Sequence, residues 1–135
     1  MSDVAGPTVV VGAAMVRGAR LLAARRVAPA DVAGGWELPG GKVEADESLE
    51  EAVVREVAEE LGCLVRVVGW LDGEAPVKPG YVLRVAVTRW VSGEIVPTEH
   101  DAVRWLSGAQ LDDVPWLQAD VPFLPQLRLL LERGR

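Results

Sequence analysis

Cysteine is almost absent from this chain of 135 residues, with Cys63 the only one. A single cysteine forms neither an internal disulfide nor a multi-cysteine zinc site. Cys63 therefore reads as a small core residue, and the chain suits a reducing compartment, the cytoplasm. Positive charge is also short, 14 Lys and Arg against 20 Asp and Glu, for a net charge of −6. Proteins that coat polymeric nucleic acid supply phosphate contacts from a basic surface, so that class is excluded, and any phosphate ligand calls for a metal. Long apolar runs are missing too. TVVVGAAMV stops at Arg17, far short of a membrane span, and the opening MSDVAGP carries no basic stretch of the kind that begins a targeting peptide. Repeats, heptads and linker-length tracts are lacking. The expectation is one domain over residues 1–135, without a membrane partner. The oligomeric state leaves no mark in the sequence.

What is present is strand-like and helix-like pattern. TVVVGAAMV and RLLAARR, joined across Arg17-Gly18-Ala19, read as two strands. A loop-rich stretch follows, broken by Pro29, Gly34, Gly35, Pro39, Gly40 and Gly41. A helix is expected from Ser48 to Leu61. Ser48 with Glu51 three residues on is a capping-box pair, and Gly62 is the residue type most often found just past a helix end. CLVRVVGWL, YVLRVAVTRWV and AVRWL read as further strands, and FLPQLRLLLERGR as an amphipathic helix starting near Pro122 or Pro125. Strands on either side of a long helix, with a second helix at the end, predict an α/β fold, a mixed sheet flanked by helices.

The segment REVAEELG crowds Glu56, Glu59 and Glu60 onto the end of the expected helix. At about 100° per residue, Glu56 and Glu60 fall within roughly 40° of each other and Glu59 about 60° beyond Glu56, so the three are expected in one patch. Leu49 and Val53 occupy the same sector, so a stripe that begins apolar ends acidic. Buried like charges need a counter-charge. Arg55 is one source, through pairs with Glu51 and Glu59; a divalent cation is the other. Residues 44–60 hold eight acids against that one base. Ligands that are all oxygen favour Mg²⁺, with Mn²⁺ as substitute.

Gly41, five residues, Glu47, seven residues, then Arg55-Glu56-Val57-Ala58-Glu59-Glu60-Leu61-Gly62-Cys63 resembles the signature of the Nudix hydrolases. Cys63 is a soft departure, at a position where that family usually has an aliphatic residue. The stretches ARRVAPADVAGGWELPGGKVEADES, EHDAVRW and QADVPFLPQL extend the likeness, which is to the MutT-type branch, over nearly the whole chain. The resemblance implies an α/β/α sandwich with a mixed sheet. It also implies Mg²⁺-dependent hydrolysis of (deoxy)nucleoside triphosphates, oxidised or methylated ones included, to monophosphate and pyrophosphate. Glu56 and Glu60, with Glu59 assisting, look like the metal ligands, Gly40 offers a carbonyl, and Arg55 orients Glu56. Glu99, six residues before Trp105, resembles the carboxylate that binds metal or serves as general base; an exposed loop acid is the plainer reading. Glu47 either supports the loop, reaches metal through water, or is an acid favoured at a helix start.

Arg26 resembles a phosphate-contacting arginine, or is an ordinary strand-end residue. Leu38 resembles the position that packs on the base, and Trp36 reads as core. Asp120 matches a base-reading position, where an ionised carboxylate would accept from the amino group of cytosine or the N7–H of 8-oxoguanine; its alternative is to cap the last helix. His100 reads as a turn residue beside the site, and Trp70, Trp90, Trp105 and Trp116 as packing. Two other functions stay open: hydrolysis of ADP-ribose or another nucleoside diphosphate conjugate, and a non-catalytic nucleotide-sensing domain.

Overall fold

The computed structural model describes residues 6–133. Most of the opening stretch read for a targeting signal, and the last two residues of the expected terminal helix, lie outside that range. The chain runs β1 (Thr8–Arg17), β2 (Arg20–Arg26), β3 (Trp36–Glu37), β4 (Gly40–Lys42), α1 (Leu49–Leu61), β5 (Leu64–Trp70), β6 (Ala75–Lys78), β7 (Tyr81–Ser92), β8 (His100–Ser107) and α2 (Leu124–Arg133). Short 3₁₀ turns occupy Gly108–Asp113 and Val121–Phe123. The eight strands form one mixed sheet, with β1 parallel to β7 and the other pairings antiparallel.

β1 explains the layering. Alternate residues of a strand point to opposite faces. Val11, Ala13 and Met15 enter a core shared with Ala52, Val53, Val57 and Leu61 of α1. Ala14 and Val16 enter another, shared with Leu124, Leu127 and Leu131 of α2. A strand buried on both sides reads as an unbroken apolar run, as TVVVGAAMV does. The result is the expected α/β/α sandwich.

α1 begins and ends where its caps dictate. Glu51 N–H donates to Ser48 Oγ at 3.0 Å, Ser48 N–H donates to Glu51 Oε1 at 2.8 Å, and Gly62 closes the helix at φ 72°. Glu51 is thus engaged with Ser48, which corrects its expected pairing with Arg55.

The sheet forks at β1 and β2. They pair only at Val16–Leu21 and Arg17–Arg20, then separate; β3 takes over the edge of β2 at Ala24–Arg25, and β4 the edge of β1 at Val10–Gly12. The stretch read as pure loop therefore supplies two short strands that fill the fork. Pro39 anchors it, its carbonyl accepting from Ala13 N–H at 2.7 Å. β6 was not expected at all. Its Pro76, and Pro79 just beyond, break the strand pattern, which an edge position tolerates. Among the described residues no helix is long and apolar enough to cross a membrane.

Candidate active site

Helix α1, the fork-filling loop and Glu99, just before β8, converge on one cleft of about 680 Å³. Arg55 organises its α1 wall. Its Nε donates to Glu47 Oε2 at 2.7 Å and its Nη2 to Glu47 Oε1 at 3.0 Å, a two-pronged pairing. Nη1 donates to Glu56 Oε2 at 3.0 Å and Glu59 Oε1 at 3.1 Å, and Nη2 also reaches the Lys42 carbonyl at 3.0 Å. A guanidinium has five N–H donors, and here each has an acceptor. Hydrogen bonding to Arg55 holds Glu47 below the usual carboxylate range and raises Arg55 further above its own. Glu47 also accepts from Glu44 N–H at 3.0 Å, so this carboxylate ties the loop to the helix.

The three clustered glutamates separate. Glu56 and Glu60 line the cleft with Glu99, Gly40 and Arg26. Glu59, its side chain 55% exposed, turns outward to Arg55 and is not part of the cleft lining. This corrects the expectation of a single patch: the extra 60° of helix rotation is enough to carry Glu59 out of it. Glu60 is only 3% exposed. Burial first, then the adjacent Glu56, with Glu99 and Glu37 behind it, pushes its carboxyl up to about 9. Gly41 makes room for this pair, because a Cβ there would run into the Glu56 carboxylate.

Deeper in lies a recess of about 210 Å³, lined by Leu38, Leu83, Leu117 and Asp120 and reached past Arg26 and Glu37. Asp120 is 5% exposed, and burial followed by the charge of Glu37 raises its carboxyl well above the ordinary range, with the Leu38 backbone N–H acting the other way. It occupies the N-cap position of the Val121–Phe123 turn without making a side-chain cap bond. Leu38 is buried in the wall of the recess and Trp36 in the core. A domain model for the NUDIX family matches residues 6–127.

The chain belongs to the Nudix family.

Its relatives agree. A Mycobacterium tuberculosis protein provisionally named 8-oxo-dGTP diphosphatase 2 is 42% identical over 122 residues, covering 88% of this chain and 86% of that protein. The CTP pyrophosphohydrolase of Escherichia coli is 36% identical over 119 residues, with 85% and 87% covered. The solution structure of the Escherichia coli ORF135 protein matches with a TM-score of 0.78 at 33% identity, over 96% of this chain and 94% of that one.

Two residues of the Nudix cleft take unexpected places. Glu37 was not singled out from the sequence, yet its Oε2 accepts from Arg26 Nη1 at 3.1 Å and lies 2.9 Å from His100 Nε2. The available signal was alternation, since Glu37 sits between buried Trp36 and Leu38. His100 is not a turn residue but the first of β8, its side chain 1% exposed and its Nε2 4.0 Å from Glu60 Oε1. Its Nδ1 has no partner among the described residues. Glu37, Glu60 and His100 each place a ligand atom within 4.8 Å of the others.

Nudix hydrolases use divalent metal, and the donor set can be tested against one. Glu60 is a buried carboxylate beside another carboxylate, and Arg55 donates to Glu47, Glu56 and Glu59 but not to it. Without a cation Glu60 keeps its proton; a hard divalent ion is the partner such an oxygen set fits.

Proposed function

We propose that this Nudix domain hydrolyses nucleoside triphosphates to the monophosphate and pyrophosphate with Mg²⁺, Mn²⁺ substituting. The carrying observation is the Glu56–Glu60 pair: two adjacent carboxylates, one deeply buried, on the floor of the cleft, beside an Arg55 that already has all its donors engaged. Glu56 and Glu60, with the Gly40 carbonyl and Glu99, would hold the ion, which neutralises phosphate oxygens and acidifies an attacking water. Arg55 fixes the Glu56 carboxylate through Nη1 and, by gripping Glu47 and the Lys42 carbonyl, sets the loop against the helix. Glu59 assists only from outside, by helping to orient Arg55. Arg26 faces the phosphates from the end of β2. Glu99, on the exposed loop before β8, either completes the ion's ligands or takes the water's proton. The intact Arg55, Glu56 and Glu60 favour an enzyme over a nucleotide-sensing module, and the chain is read as one domain acting on nucleotide pools in the cytoplasm.

The recess takes the base, with Leu38 against its face. Burial pushes Asp120 toward the neutral acid, which changes the earlier picture of an acceptor-only carboxylate. A neutral acid offers one O–H donor beside one acceptor. Cytosine presents the complementary pair at N3 and its amino group, and 8-oxoguanine does so at O6 and N7–H, whereas guanine presents two acceptors there. The observation that favours these two bases is the buried Asp120 carboxyl in the lining of the recess, not spent on a helix cap.

A panel of nucleoside triphosphates and diphosphate conjugates, assayed with Mg²⁺ for kcat/KM and for release of pyrophosphate or phosphate, tests this. Triphosphates are expected to lead and to release pyrophosphate. A preference for ADP-ribose overturns the substrate assignment, and no turnover of any member returns the chain to the sensing role.

A further inference from the structure

Lys42 and Lys78 are the only lysines of the chain and Tyr81 its only tyrosine. All three meet at the mouth of the cleft. Lys78 Nζ lies 4.5 Å from the centroid of the Tyr81 ring, and Lys42 Nζ lies 5.5 Å from it. Strand register brings them together. Lys78 and Tyr81 are direct cross-strand partners of β6 and β7, joined by Pro79-Gly80 with Gly80 at φ 86°, the residue pair that a type II turn requires. Lys42 arrives on β4 opposite Val10, which in turn pairs with Leu83 on β7.

A ring face attracts an ammonium group without neutralising it, so Tyr81 restrains two flexible side chains and leaves their N–H donors free for an anion. Among the described residues neither lysine makes an ion pair, although Glu37, Glu56, Glu60 and Glu99 line the same cleft. Arg26, the other cation of this cleft, is by contrast engaged by Glu37 and by the Ala28 carbonyl at 2.9 Å. The cleft thus grades outward from a recess that takes the base, over an acidic floor that takes a cation, to a rim bearing two unpaired positive charges. A chain of phosphates leaving the floor meets that rim.

We propose that Lys42 and Lys78, positioned by Tyr81, receive the terminal phosphates of the substrate, and that this pair makes the enzyme select nucleoside triphosphates over diphosphates and over conjugates whose far end is uncharged. The inference rests on the triphosphate reading given above. Tyr81 is a positioning residue in it, since its ring acts through the lysines.

The test compares wild type with Lys78→Gln, Tyr81→Phe and Tyr81→Leu on one nucleoside triphosphate and the diphosphate of the same base, alongside equilibrium binding of inorganic pyrophosphate with Mg²⁺. Both lysines are exposed, so folding is not at stake. Lys78→Gln is expected to raise KM for the triphosphate about tenfold, the effect of one charged hydrogen bond, with a smaller change for the diphosphate and a smaller change in kcat. Tyr81→Phe, which keeps the ring, should retain the wild-type preference, and Tyr81→Leu should lose it. Equal effects of Lys78→Gln on both nucleotides, or none, overturn the proposal. The pyrophosphate arm separates the two readings. If wild type hydrolyses no triphosphate but binds pyrophosphate about tenfold more tightly than Lys78→Gln does, the triphosphate reading fails and the rim stands; equal pyrophosphate affinities sink the rim whatever the enzyme hydrolyses.

Discussion

Arg55 with its carboxylates, and the buried acids Glu60 and Asp120, are two ways of keeping an acidic group inside a small domain, and they lie in the same cleft. Around Arg55, every guanidinium donor meets an acceptor, and Glu47 is held below the usual carboxylate range by it. Glu60 and Asp120 lie deeper, with carboxylates rather than cations as their charged neighbours, and both are pushed toward the neutral form. The matched group is scaffold. On the function proposed above, the unmatched ones would take a partner, a metal ion for Glu60 and a base for Asp120, each relieving what the fold leaves unpaired.

The comparison breaks most visibly if the metal side is removed. Glu56→Gln keeps shape but loses the charge that shares an ion with Glu60, and kcat is expected to fall on the order of a thousandfold in steady-state assays, with the circular dichroism spectrum unchanged. Near-normal turnover by the folded variant would mean that the pair does not hold the ion. Arg55→Lys probes the scaffold side. A lysine cannot reproduce the two-pronged grip on Glu47, so a loss of about 10–100-fold in activity is expected, as for other groups that orient metal ligands, together with weaker Mg²⁺ activation. A variant with wild-type Mg²⁺ dependence would show the network to be ornamental.

Asp120→Ala, which removes both the donor and the acceptor, sharpens the contrast within the unmatched pair. It should shift the ratio of kcat/KM between cytidine and guanine triphosphates by about tenfold while the Mg²⁺ requirement stays. An unchanged ratio over CTP, dCTP, dGTP and 8-oxo-dGTP would remove Asp120 from base reading. The smallest effect is on stability. An ordinary glutamate carboxyl titrates near 4.5, and the fold pushes that of Glu60 up to about 9, so between those limits the folded chain holds a proton that the unfolded chain has lost. Its contribution is therefore full below pH 4.5 and drains away as pH rises toward 9. In chelator the melting temperature should decline across that window, and Glu60→Gln or added Mg²⁺ should flatten the decline. A decline equally steep in Glu60→Gln would assign it to other groups.

Half of this arrangement could be read from the chain. The helix was legible because Ser48, Glu51 and Gly62 act within a few residues of it, and Arg55, Glu56 and Glu60 because helical geometry is fixed by spacing. Glu59 shows the limit of spacing alone: it adjoins Glu60, yet the direction in which the stripe faces the sheet decides that one is buried and the other is not. The contact between Glu37 and His100 was beyond local reasoning, since 63 residues separate them and only the pairing of β3 and β8 with β2 brings them together. β6 escaped for the opposite reason: Pro76 and Pro79 are strong local signals that the edge of the sheet overrides. The upward push on the Asp120 carboxyl comes first from burial, which no window of sequence displays.

β1 supplies none of the residues assigned to catalysis, yet it governs how the activity can survive change. Its side chains alternate between two cores, and its backbone holds Gly40 so closely that a Cβ there would collide with the Val11 carbonyl. A strand with two inner faces has no silent register: one residue inserted or deleted exchanges every occupant of both cores and slides the Gly40 loop off its mark. In a library of length variants the Arg17-Gly18-Ala19 hairpin should accept insertions freely and β1 none, so the least forgiving segment for activity is one that does no chemistry.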